Sequence, residues 1–282
     1  MGIEDPEPIA GREPAARGVS PIPTWRTAPP PLETRLAWLG IASAALDLGA
    51  VYIKVPALRP GVTWGDAIDV LTPLILVFLY ALVLRSLAVV PPADSPAPRR
   101  HERGARLLLP LGAFALVLGH GIHVAANSID DAITRAGIQD PTGLVDWWDE
   151  HVSHTLIHGS KVAFCVALTA LEIRRGAVAV TSPSGPTGDA QGTHPGAGSG
   201  LFLAGALAYG FIYFADGIEG QTAALLLPFC AAYLAWSLRR GRPFPPVRRF
   251  YTLSALVSVL LFISWGVWHR GFPEFSKVGL IP

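Results

Sequence analysis

Apolar residues in this chain gather into blocks of roughly 18–25, the length an α-helix needs to cross about 30 Å of hydrocarbon. Short polar or proline-containing connections separate them. Inside lipid a backbone amide must find its partner within its own segment, so blocks of this character are expected as helices. The pattern places spans at 36–54, 67–90, 106–128, 150–173, 200–217, 221–238 and 251–269. Pro73, Pro110 and Pro228 fall inside them, which neighbouring helices can tolerate by satisfying the freed carbonyls. The expected fold is therefore all-α: a polytopic membrane bundle of about seven transmembrane helices.

Composition agrees with the pattern. Hydrophobic residues make up 51% of the chain and charged ones only 15%, where a soluble domain carries about a quarter. Mean hydropathy is +0.41. A net charge of +1 gives no footprint for nucleic acid, and membrane lipids are the expected partners. Cys165 and Cys230 lie within apolar blocks and are expected as packing residues, not as a disulfide framework. Residues 1–35, with PEPIAGREPAARG and TAPPPLE, cannot bury enough apolar surface to fold alone and are expected as a disordered tail. The transmembrane domain then occupies 36–282, interrupted by a flexible cytoplasmic loop at 181–200, TSPSGPTGDAQGTHPGAGSG. No internal repeat is visible.

Arginine and lysine orient the spans. The tail and the connections after spans two, four and six hold sixteen of them, while the other face holds only Lys54, Arg59, Arg135, Arg270 and Lys277. The positive-inside bias puts the N-terminus in the cytoplasm and the C-terminus outside. Trp64, Trp147, Trp148, Trp265 and Trp268 mark the outer interface.

Candidate chemistry then gathers at that outer end. Span three finishes LGHGIHVAANSIDD and span four begins DEHVSHTLIHGSK. His120, His123 and Asn127 follow i, i+3, i+7, as do His151, His154 and His158, so each set is expected on one helical stripe. His120 lies roughly 12 Å below the end of its helix, at the level of His158 on the next. Antiparallel packing would then put His123 near His154 and Asn127 near His151. Polar groups at that depth are costly and serve as functional candidates by default. Neutral imidazole is the commonest metal-binding side chain, so His120, His123, His151, His154 and His158 are expected ligands of a transition metal, zinc or iron.

Carboxylates converge on the same face. Asp130, Asp131, Asp149 and Glu150 flank the stripes, Asp66 and Asp69 open span two, and Asp216 and Glu219 sit in FADGIEGQ. Glu150, Asp216 and Glu219 are the candidates to orient or deprotonate a metal-bound water. Nearer the midplane, Asp47 and Lys161 lie roughly 16 Å from their helix starts. An isolated charge there costs at least ~2.5–3.5 kcal/mol, so the two are expected to pair.

The His120/His123 and His154/His158 spacings resemble pieces of the histidine boxes of membrane desaturases and hydroxylases, which hold two irons. They lack that family's HH pairs. Seven spans with a zinc-like histidine set are also similar to the alkaline ceramidase and progestin-receptor superfamily. There the HxxxH lies on the last helix, whereas here it lies on the fourth. No family is assigned. The leading expectation is a metal-dependent membrane enzyme, open to the extracytoplasmic side, hydrolysing a lipid-like substrate. The sibling is a di-iron oxidoreductase. An alternative is electron transfer on non-covalent haem b, held by His120 and His158 with Gly119 and Gly121 leaving room for the porphyrin. A metal transporter or sensor ranks third, since the inner halves, such as LLLPLGAFALVL, look apolar.

Overall fold

A computed structural model describes residues 31–53, 63–87, 100–138, 140, 142–181, 198–241 and 244–280. Helix α1 spans Leu32–Tyr52, α2 Trp64–Leu87 and α3 Arg100–Arg135. A single turn, α4 (Leu144–Asp146), runs through a π-helical segment, Trp147–Ser153, into α5 (His154–Thr181). Then follow α6 (Gly198–Glu219), α7 (Ala223–Arg239) and α8 (Pro246–His269). Among the described residues there is no strand. Six of these helical stretches are long and apolar enough to cross a membrane, and the 17-residue α7 is a shorter apolar helix. The chain is a helical membrane bundle.

The expected elements are all present, and their ends differ where polar residues extend a helix past the apolar block. Helix α3 begins at Arg100 and continues to Arg135, beyond the expected 106–128. Asp130 and Asp131 consequently ride on an exposed helical extension. The fourth span likewise starts at Leu144 and its helix runs to Thr181. The expected tail falls on residues outside the described ones up to Pro30, but α1 already starts at Leu32, four residues before the expected span. Most of the expected loop, 182–197, also lies outside the described residues.

Close packing rests on small residues. A Cβ on Gly40 would lie 2.0 Å from the Gly205 carbonyl oxygen, and one on Gly205 2.5 Å from the Cα of Ala37. Helices α1 and α6 thus meet backbone to backbone, the contact that small residues permit in lipid. The hydroxyls of Ser254 and Ser258 on α8 reach the carbonyls of Ala206 and Gly210 on α6 at 2.9 and 2.8 Å. Glu172 of α5 accepts the N–H groups of Val247 and Arg248 at 2.7 and 2.8 Å. Those are first-turn donors of α8, which have no partner inside their own helix. For the site, the decisive contact joins α3 and α5. A Cβ on Gly119 would lie 2.8 Å from Ile157 Cγ1 and 2.9 Å from the Ser153 oxygen. With no side chain at Gly119, the two helices close together at the level of the histidines.

Candidate metal centre

Four segments bring side chains to one end of the bundle. Helix α2 supplies Asp69 from its second turn, α3 supplies His120 and His123, the π segment supplies Asp149, and α5 supplies His154 and His158. Asp69 bridges the two imidazoles of α3. Its Oδ1 lies 3.0 Å from His120 Nδ1 and its Oδ2 3.5 Å from His123 Nε2. On the far side of His123, Nδ1 lies 2.5 Å from Asp149 Oδ1. Asn127, one turn along, places its amide nitrogen 3.2 Å from His123 Nε2.

The rings then continue from α3 across to α5. His123 and His154 meet edge to face with centroids 5.1 Å apart, and His154 stacks on His158 at 5.6 Å. One ligand atom each from His123, Asp149 and His154 lie within 4.8 Å of one another. Deeper in, His120 is 6% exposed and His158 1%. Nε2 of His120 and both ring nitrogens of His158 are buried without a hydrogen-bond partner. Leaving such groups unsatisfied costs about 1–3 kcal/mol each. A carboxylate on Nδ1 fixes the tautomer of a neutral imidazole and leaves the lone pair on Nε2. Asp69 stands in that relation to His120.

The stripe expected on the fourth span is corrected by the π segment. Its i→i+5 bonding puts an extra residue into the turn, so positions before Ser153 rotate relative to those after it. Asp149, not His151, turns towards α3, and His151 is exposed and outside the group. Asn127 accordingly contacts His123 and not His151.

The three expected base candidates also separate. Glu150 carries a buried, unpartnered Oε2. Asp216 instead pairs with Lys161, which also bonds Asp47 at 3.2 Å. The expected Asp47–Lys161 pair is present, and the sequence reading missed its third member because it grouped Asp216 with the outer-face carboxylates. Glu219 accepts the backbone N–H of Phe275 at 2.8 Å and of Ser276 at 3.5 Å. It pins the C-terminal segment, whose Phe275 packs on Phe214 and Trp265.

Other polar residues near this end have local tasks. Asp66 and Thr63 form a reciprocal cap on α2, with Thr63 N donating to Asp66 Oδ2 at 2.6 Å and Asp66 N to Thr63 Oγ1 at 3.2 Å. Asp140 accepts from Thr142 N at 3.0 Å and Val145 N at 2.9 Å. Those amides hold its carboxyl below the ordinary range and fix the turn that launches α4. Glu274, bonded to Lys277, raises the lysine above its usual value. His269 sits against Trp265 with ring centroids 4.0 Å apart.

Asp69 and Asp149 were expected on the same face as the histidines but not among the ligands or bases. The only sequence signal for Asp69 is its place one turn inside an apolar helix. Asp149 flanks the histidine stripe in sequence, but its direction depends on the π turn. No protein-family model, curated protein or solved structure matches this chain.

Proposed function

We propose that this protein is a metal-dependent membrane hydrolase acting on a lipid-like substrate, its centre facing the extracytoplasmic side. The observation that carries the reading is the convergence of His123, Asp149 and His154 beside two buried imidazoles with open nitrogens. His123, Asp149 and His154 would hold a transition metal, zinc or iron, and His120 and His158 extend the set inward. The metal would supply a Lewis acid and a water acidic enough to ionise near neutral pH.

The chain's own groups divide the remaining work. Asp69 orients His120, and Asn127 donates to the Nε2 side of His123. Glu150 takes the proton of an attacking water, since its buried Oε2 has no other partner. Asp216 and Glu219, put forward with it on sequence, are committed to Lys161 and to the C-terminal segment. Position at the end of a lipid-embedded bundle suits a substrate that keeps its chain in the bilayer and its polar bond at the interface.

Haem b ranks below this reading for a physical reason. Of the two glycines expected to leave room for a porphyrin, Gly119 faces Ile157 and the Ser153 carbonyl, and only Gly121 has open space beside it. The di-iron sibling shares the same ligands and differs in the metal.

The test is hydrolysis of ester- and amide-linked lipids by detergent-purified protein, with and without a chelator, beside Glu150→Gln. Chelator-sensitive turnover that Glu150→Gln lowers by about 10²–10⁴-fold, with metal content unchanged, is expected. Turnover indifferent to chelation, or to the loss of Glu150, would overturn the assignment of base and metal.

A further inference from the structure

A second feature lies at the opposite end of the bundle from the imidazoles. A cavity of about 580 Å³ opens between α2, α3 and α5, within the range of ~300–1,000 Å³ typical of small-ligand sites. Its lining runs from Val77 to Leu87 on α2, from Glu102 to Ala113 on α3, and from Phe164 to Arg175 on α5. At 1.5 Å per residue each stretch is ~15–17 Å long. That is half of the ~30 Å hydrocarbon thickness, so the cavity spans a single leaflet.

Its two ends differ in chemistry. The floor is closed by Tyr80 stacked on Phe164, with ring centroids 3.8 Å apart. The Tyr80 hydroxyl is spent on Tyr209, so the floor offers an apolar surface. Among the described lining residues, the mouth holds Arg106, Arg174 and Arg175 against the single carboxylate of Glu102. Glu102 is buried, bonds Arg106 at 2.8 Å and pairs with Arg174. Arg175 donates to the Ser86 carbonyl at 2.7 Å and remains exposed. The Arg106 side chain is 59% exposed. Three guanidiniums and one carboxylate leave two positive charges at the rim of an apolar slot one leaflet deep.

We propose that this groove is a binding site for an anionic phospholipid of that leaflet, one acyl chain lying along α2, α3 and α5 and the phosphate on Arg106 and Arg175. The charge complementarity selects the occupant. A zwitterionic head would bring its own cation to a rim that already carries excess positive charge, and a neutral isoprenoid would bring no anion to offset that excess. Planar guanidinium groups match phosphate oxygens in two-pronged geometry. The site is separate from the imidazole group and does not depend on the metal reading.

Native mass spectrometry of the detergent-purified full chain, titrated with phosphatidylglycerol or phosphatidylcholine of matched chains, tests the proposal. One phosphatidylglycerol retained per chain, in preference to phosphatidylcholine, is expected. In Arg106→Gln/Arg175→Gln the preference should fall roughly five-fold for each guanidinium removed. Arg174 stays in place there to keep buried Glu102 paired. Ala113→Trp leaves the arginines untouched and fills the slot, so it should abolish retention of the lipid altogether. Equal retention of the two lipids by the wild-type protein, retention of a neutral isoprenoid instead, or retention unaffected by Ala113→Trp would overturn it. The wild-type comparison decides the matter even where a variant fails to fold.

Discussion

At the residue scale, two buried imidazoles with open nitrogens are the feature that most needs a cause. His120 spends one nitrogen on Asp69 and keeps the other, and His158 spends neither. The Lys161 group shows the opposite state. There a buried ammonium has two carboxylate partners, from α1 and α6, so its partners come from within the chain. Gly220 is the least obvious member of the site. A Cβ there would fall 2.3 Å from His154 Nδ1 and 2.7 Å from its Cγ. Gly220→Ala should therefore displace the His154 ring and weaken metal affinity by about 10–100-fold, the usual cost of disturbing a ligand's support. Isothermal titration of apo protein with zinc measures this directly, and unchanged affinity would remove His154 from the ligand set.

At the element scale, the π segment Trp147–Ser153 shapes the site more than any single helix. It turns Asp149 inward and His151 outward, and nothing in the hydrophobic pattern announces it. Spacing arguments assume a uniform turn, so they put His151 on one stripe with His154 and His158, whereas the π segment leaves it exposed. Helix existence was legible because each apolar block is long enough to span. Helix ends were not, because α3 and α5 continue through polar residues that the hydropathy pattern assigns to loops. The α1–α6 contact carries a separate prediction. Gly205→Leu would drive a side chain into Ala37 and should cost about 1–3 kcal/mol or more. A lowered melting temperature in detergent checks it, with metal content retained because neither helix supplies an imidazole. An unchanged melting temperature would mean that α1 and α6 do not meet at these glycines.

At the scale of the whole molecule, the bundle divides its chemistry between its two ends. One end gathers Asp69, Asp149 and the imidazoles, and the other gathers Glu102 with Arg106, Arg174 and Arg175. The matching depths of the histidines were readable from the sequence, whereas the α3–α5 contact and the third member of the Lys161 group needed the three-dimensional fold. On the positive-inside bias, the arginine end is expected in the cytoplasm. Both native cysteines are buried, so a cysteine introduced at exposed Asp130 or Arg103 reports its own side alone. In intact cells a membrane-impermeant maleimide should label Asp130→Cys and leave Arg103→Cys unlabelled; the reverse pattern would invert the orientation. A metal ion at the imidazole end is the central claim. Elemental analysis of detergent-purified protein beside His123→Ala/His154→Ala is the most direct test. One or two transition-metal ions per chain, lost in a variant that still folds, is the predicted result. A folded wild-type protein that carries no metal and takes up neither zinc nor iron would contradict it.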